Sequence, residues 1–98
     1  MAGAFSYREC LLEEAASLLA LWRKAEATVG VTDTVEDIQG VISHSASIVF
    51  VAEQHGRIVG SVIGTFDGWR GNIYRLAVDP AYRRQGLANN LVDEVDNR

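Results

Sequence analysis

An α/β (α+β) fold in the order β-α-α-β-β-β-α, with a mainly antiparallel sheet, is predicted by three features of this 98-residue chain. Leu11 to Ala27 carries an apolar stripe at helical spacing. Ser47 to Val78 breaks into three β-rich runs separated by short polar turns. Asn72 to Arg98 reads as a strand, a tight polar connection and an amphipathic helix.

Taken in order, Ala4 to Arg8 alternates apolar and polar residues (Phe5, Tyr7), as a first strand does. In the helix that follows, Leu11, Ala15, Leu18, Trp22 and Ala25 form one stripe, widened by Leu12, Ala16 and Leu19, and Gly30 closes the region. Trp22 reads as core packing, and Glu13, Glu14, Arg23, Lys24 and Glu26 as a solvated face. Thr32-Asp33-Thr34 introduces a shorter second helix. Thr34 caps it, Asp37 lies in its first turn, and Val35, Ile38 and Ile42 share one side. His44 ends it, with no chemical role assigned.

Ser47 to Glu53 is an almost continuous β-branched and aromatic run, the pattern of a central strand covered on both faces. Gln54-His55-Gly56-Arg57 is a turn, and Ile58 to Phe66 returns as the second arm of a hairpin. Gly60 and Gly64 mark a bulge or close packing against a helix. Asp67 to Gly71 turns the chain into the strand Asn72 to Val78. Pro80 ends that strand, because it fixes its own φ and restricts Asp79. A last helix starts near Gly86, with Leu87, Leu91 and Val95 at helical spacing, plus Ala88 and Val92.

Ninety-eight residues allow one small domain. With 48% hydrophobic and 22% charged residues, the chain has a globular composition. Its formal net charge of -4 argues against general nucleic-acid binding. No apolar run approaches the ~20 residues of a membrane span, and the N-terminus lacks the order of a secretory signal. Cys10 is the only cysteine, which fits a reducing compartment, and a buried, inert thiol at a strand end is expected. A cytoplasmic location is the expectation. Charge is uneven, however: Gly68 to Arg84 holds Arg70, Arg75, Arg83 and Arg84 against Asp79 alone. Such a local basic patch on an acidic chain suits a small anionic ligand.

Arg83, Arg84 and Gln85 fall where the last helix begins, and Gly86 lets a ligand approach the backbone closely. Free N–H groups and the positive end of the helix dipole make such a place a ready anion site, best suited to phosphate. Arg83-Arg84-Gln85-Gly86-Leu87-Ala88 matches the pattern Arg/Gln-x-x-Gly-x-Gly/Ala and follows Leu76-Ala77-Val78-Asp79-Pro80-Ala81-Tyr82. Strand, Asp-Pro turn, basic loop and helix in this order resemble the acetyl-CoA-binding core of the GNAT family of N-acetyltransferases. Neither Gly-x-x-x-x-Gly-Lys-Ser/Thr nor Gly-x-Gly-x-x-Gly is present, so generic nucleotide binding has little support.

The resemblance implies transfer of acetyl from acetyl-CoA to a primary amine, without a metal. It puts the pyrophosphate on the backbone N–H groups of Arg84, Gln85, Gly86, Leu87, Ala88 and Asn89, with Gly86 and Ala88 small to let it in. Arg83 and Arg84 would add charge-assisted contacts. Leu76, Ala77 and Val78 would splay from the neighbouring strand at a bulge and pair with the pantetheine arm, one N–H polarising the thioester carbonyl. A base or a water chain must take the amine's proton. Family members often place a Glu on this strand, which here offers Asn72, Tyr74 and Arg75. The candidates are Tyr74, ordering a water or simply packing, and Glu53 and Asp67 at the preceding strands. The segment between the first two helices would line the acceptor side, where Asp33, Glu36 and Asp37 either attract a cationic amine or serve capping and solubility.

The resemblance covers the N-terminal two-thirds of a domain that continues, in the family, with a fifth strand, a fourth helix and two final strands. The family's usual general acid, a Tyr in that C-terminal part, has no counterpart here. The expectation is one incomplete GNAT domain over residues 1–98, ending at Asp96-Asn97-Arg98 inside a helical pattern. Either the chain is shortened, or a second copy supplies the missing cover, as a homodimer through the unpaired edge of the Leu76–Val78 strand. The alternative function is a non-catalytic acyl-CoA-binding or dimerisation module that keeps the loop without the acceptor half.

Overall fold

Four antiparallel strands pair in chain order in the computed structural model, which describes residues 5–25, 34–66, 68 and 71–96. They are β1 (Ser6–Glu9), β2 (Ser47–Gln54), β3 (Arg57–Phe66) and β4 (Gly71–Val78). Helices α1 (Ala15–Ala25) and α2 (Val35–Ser43) cover one face of the sheet, and α3 (Leu87–Asp96) covers the other. The expectations placed on Ala4, Glu26, Ala27, Gly30, Thr32, Asp33, Asp67, Asn97 and Arg98 lie outside the described residues.

Strand periodicity of two divides β2 between the layers. Val49 and Val51 join Leu18, Leu21, Trp22 and Ile38 under α1 and α2. Phe50 and Ala52 join Val59, Val62, Leu87 and Leu91 under α3. The predicted central strand is therefore covered on both faces. Leu18, Phe50, Leu87 and Leu91 are each fully buried, and such side chains contribute about 1.5–3 kcal/mol apiece. Gly60 and Gly64 are what let α3 lie so close: a Cβ at Gly60 would stand 3.2 Å from Leu91 Cδ1, and one at Gly64 only 2.5 Å from Val95 Cγ1. The β2–β3 turn is tight, with His55 (φ 54°) and Gly56 (φ 77°) both left-handed, as a type I′ hairpin requires.

The start of the first helix departs from expectation. Residues Leu12–Glu14 form a 3-10 turn rather than α-helix, and Leu11 and Leu12 are 52% and 48% exposed instead of belonging to the stripe. The cause is Glu14, expected on the solvated face. Its Oε1 accepts from the Leu11 N–H at 2.9 Å, and both its oxygens accept from Arg8, at 2.8 and 2.7 Å. This pins the entry of the helix to β1. Further on, Thr34 Oγ1 accepts from the Asp37 N–H at 3.1 Å, the predicted cap of α2. His44 closes α2 by donating its N–H to the Val41 carbonyl and accepting from the Ala46 N–H on Nδ1. Cys10 is buried one residue beyond β1, and burial pushes its thiol up to about 11, an inert form.

Candidate functional site

The site is built from the C-terminal half of β4. Ser61 stands opposite Ala77 but Ile63 opposite Tyr74, so β4 carries one more residue than β3 over this stretch. That is a β-bulge, and Arg75 absorbs it with a left-handed φ of 53°. The Arg75 guanidinium carbon lies 4.7 Å from the centroid of the Trp22 ring, a cation–π contact from the bulge to α1.

Beyond the bulge, the Asp79 N–H donates to the Val59 carbonyl at 2.8 Å, facing β3. By strand alternation the backbone groups of Val78 and Leu76 face the other way. The Val78 carbonyl accordingly accepts from Arg83 Nε at 3.4 Å, and Leu76 is 43% exposed. Among the described residues β4 is an edge strand.

Asp79 then stops the strand chemically as well as sterically. Its side chain is buried; Oδ1 accepts from the Ala81 N–H at 2.9 Å, capping the 3-10 turn Pro80–Tyr82, and Oδ2 lies 3.1 Å from Lys24 Nζ. Burial pushes the carboxyl up, but the Ala81 N–H and the Lys24 ammonium outweigh it and hold Asp79 below the usual carboxylate value. The loop that follows has left-handed backbone at Arg84 (φ 66°) and Gly86 (φ 81°). Gly86 is the cap position of α3, its carbonyl accepting from the Asn90 N–H at 3.1 Å. The N–H groups of Leu87, Ala88 and Asn89 therefore form the first turn, where no intrahelical acceptor exists.

A cavity of about 440 Å³ opens between these elements, lined by Ala25 of α1, Leu76–Val78, Tyr82–Arg84 and Gly86–Asn89. Nine of the ten residues expected to hold the cofactor line it; Gln85 does not. Leu87 contributes backbone only, since its side chain is 2% exposed in the core under α3. A second depression of about 790 Å³ lies at the opposite end of β4, beside Phe66, Gly71 and Ile73, and holds none of the expected residues.

Of the three candidate catalytic side chains, Asp67 lies outside the described residues and the other two fare differently. Glu53 lies on β2, two strands from β4, and is engaged by Arg8 with Nε–Oε1 at 3.3 Å. Its position makes it a partner of the β1 arginine, not a member of the cavity. Tyr74 lies in β4 opposite Ile63, and its side chain is outside the described residues. The sequence reading missed Lys24, Ala25 and Tyr82. Lys24 gave only the signal of a polar helix face, and nothing in its spacing connects it to Asp79. Among the described residues no group of three or more His, Cys, Asp or Glu is arranged to hold a metal ion, and no helix is long and apolar enough to cross a membrane.

The family model described as the acetyltransferase (GNAT) family matches residues 11–98. The chain belongs to the GNAT acetyltransferase family. This GNAT chain is 35% identical over 82 residues to an acetyltransferase of Pectobacterium atrosepticum, an overlap of 84% of this chain and 58% of that protein. It superposes on the ribosomal-protein-S18-alanine N-acetyltransferase of Escherichia coli with a TM-score of 0.82 at 17% identity, covering 96% of this chain and 58% of the other. An acetyltransferase of Clostridium acetobutylicum solved with acetyl-CoA gives 0.76 at 15% identity, with 96% and 72% covered. At such identities the superpositions establish a shared α+β fold with a mainly antiparallel sheet. The chain thus spans somewhat over half the length of the Pectobacterium relative.

Proposed function

We propose that this GNAT chain binds acetyl-CoA in the cavity between β4 and α3 and belongs to an N-acetyltransferase acting on a primary amine. One observation carries the reading: residues 76–78, 83, 84 and 86–89, separated by a turn in the sequence, share a single cavity. The first-turn N–H groups of α3 and the Arg84 guanidinium suit the pyrophosphate. The edge of β4 at Leu76 and Val78 suits an amide-bearing arm laid alongside as an added strand.

In the transfer, the amine nitrogen attacks the thioester carbonyl, the C–N bond forms, and the C–S bond breaks. The amine loses a proton and the departing thiolate gains one. An outward N–H of β4 beyond the bulge is the donor suited to the oxyanion. Among the described residues the lining side chains include no carboxylate, and the reading gives the amine's proton to water or to Tyr74.

A homodimer belongs to the same reading. With residues 76–78 reserved for the ligand, a second copy would pair at the Gly71–Ile73 end of β4, where Ile73 is 41% exposed. Sedimentation velocity decides this by showing a concentration-dependent dimer or only a monomer. A cytoplasmic setting completes the reading, in keeping with the buried free thiol of Cys10.

Calorimetric titration with acetyl-CoA tests the core of the proposal, with Gly86→Glu and Arg84→Glu as controls. Binding that both controls weaken at least about tenfold supports it. Absence of binding by the folded chain refutes it for these residues. Binding with no acetyl transfer to any amine supplied would favour the non-catalytic acyl-CoA module instead.

A further inference from the structure

Two adjacent arginines line the cavity, and their surroundings differ. Arg84 is exposed on left-handed backbone and makes no hydrogen bond or ion pair among the described residues. Arg83 is committed twice, both times to backbone carbonyls: Nη2 donates to Ala25 at 2.8 Å, and Nε to Val78 at 3.4 Å. Those carbonyls belong to opposite walls of the cavity, one at the C-terminal end of α1 and one at the outer edge of β4.

We propose that Arg83 is a positioning residue that straps the α1 wall of the cavity to its β4 wall, while Arg84 alone meets the anion. This rests on the acetyl-CoA reading given above. Arginine is suited to the task because its planar fork presents several N–H donors in fixed directions, so one side chain can bridge two acceptors. Lysine, with a single nitrogen on a flexible stem, cannot reproduce that span.

A second tie runs across the same corner with the opposite polarity. Lys24 of α1 reaches Asp79 at the end of β4 at 3.1 Å. The Lys24 side chain is 58% exposed and Arg83 is exposed too, so water screens both ties, and the two act on the same corner together. There is also an electrostatic reason for the strap. The C-terminal carbonyls of α1 bring partial negative charge to a cavity whose other end is the positive start of α3. With its guanidinium on the Ala25 carbonyl, Arg83 covers a group that would repel a phosphate. Its charge is then spent on the protein and not on the ligand.

The test compares Arg83→Lys and Arg84→Gln, titrating each with acetyl-CoA and with phosphate-free S-acetylpantetheine at two salt concentrations. Arg83→Lys is expected to weaken both ligands by the same factor, about ten, equivalent to one charge-assisted hydrogen bond. The salt dependence of acetyl-CoA affinity stays at the wild-type slope. Arg84→Gln is expected to weaken acetyl-CoA alone and to flatten its salt dependence. Hydrogen exchange without ligand provides the independent readout: amides of Arg23–Ala25 exchange faster in Arg83→Lys and unchanged in Arg84→Gln. Wild-type affinity for both ligands in Arg83→Lys, or a loss confined to acetyl-CoA, overturns the proposal. So does unchanged exchange at the end of α1. If the wild-type chain binds neither ligand, the acetyl-CoA reading fails, and the exchange comparison still decides whether the strap exists.

Discussion

Trp22 Nε1 donates a 3.0 Å hydrogen bond to Ser61 Oγ, and both residues are buried, at 4% and 0% exposure. This bond joins α1 to β3 directly beneath the β4 bulge, and the same indole carries the Arg75 guanidinium on its face. One tryptophan thereby registers α1, β3 and β4 against each other. A buried indole N–H left without a partner is costly, whereas a satisfied one contributes modestly. Ser61→Ala should therefore cost about 1–3 kcal/mol, read from urea unfolding. Trp22→Phe should cost more, through lost packing as well. Because the two residues share one bond, the double variant should lose less than the sum of the singles; strict additivity would contradict the coupling.

Stability should fall in acid through Asp79 and Glu14. Arg8's hydrogen bonds, ahead of an opposing desolvation, hold Glu14 below its ordinary value. For Asp79, burial acts upward but is outweighed by Ala81 and Lys24, so it too is lowered. A carboxyl lowered in the folded state contributes stability above its unfolded pKa, about 4, and loses it as pH falls through the folded value. The expected profile is flat near neutrality and drops below about pH 4. Asp79→Asn should lower the neutral plateau and shallow the drop. A drop as steep as that of the wild type would show that Asp79 does not contribute to it.

Gly64→Ala should destabilise the chain by about 1–3 kcal/mol, the usual penalty for overpacking. Its Cβ would meet Val95 Cγ1 at 2.5 Å, closer than side chains tolerate. Val95 is only partly buried at the end of α3, so removing its branches opens the space. Adding Val95→Ala to Gly64→Ala should recover part of the loss, although Val95→Ala alone destabilises. Thermal denaturation of the four chains reads this directly, and a double variant weaker than both singles would contradict it.

Much of this architecture was legible because its signals are local. The alternation in Ser47 to Glu53, the Asp79-Pro80 stop and the Leu87–Leu91–Val95 spacing each need only neighbouring residues. That nine of the ten residues expected at the cofactor share one cavity has the same origin, since they are one strand end and the helix start after it. What escaped the sequence depends on contacts between distant segments. Leu11 and Leu12 fit the helical stripe by spacing, but Arg8 and Glu14 recast that turn as 3-10. Glu53 was a candidate only as a carboxylate on a strand before β4, and strand order places β3 between the two. The motif specifies Arg83 and leaves the position of Arg84 open, but nothing in it says that Arg83 turns to the Ala25 carbonyl, which depends on where α1 lies.

Gly86 offers a way to separate backbone strain from ligand approach. Its φ of 81° is left-handed, and a Cβ built there meets nothing within 4 Å. Alanine at this position would therefore suffer strain without a clash, costing about 1 kcal/mol. Asparagine tolerates left-handed backbone better, so Gly86→Asn should be the more stable of the two variants. Affinity for acetyl-CoA should rank the other way. If the phosphates must approach the backbone at Gly86, the larger Asn side chain obstructs them more than a methyl group does. Stability from denaturant unfolding and affinity from calorimetry should thus order Ala and Asn oppositely. If affinity simply follows stability, the glycine serves only the turn, and the ligand does not lie against it.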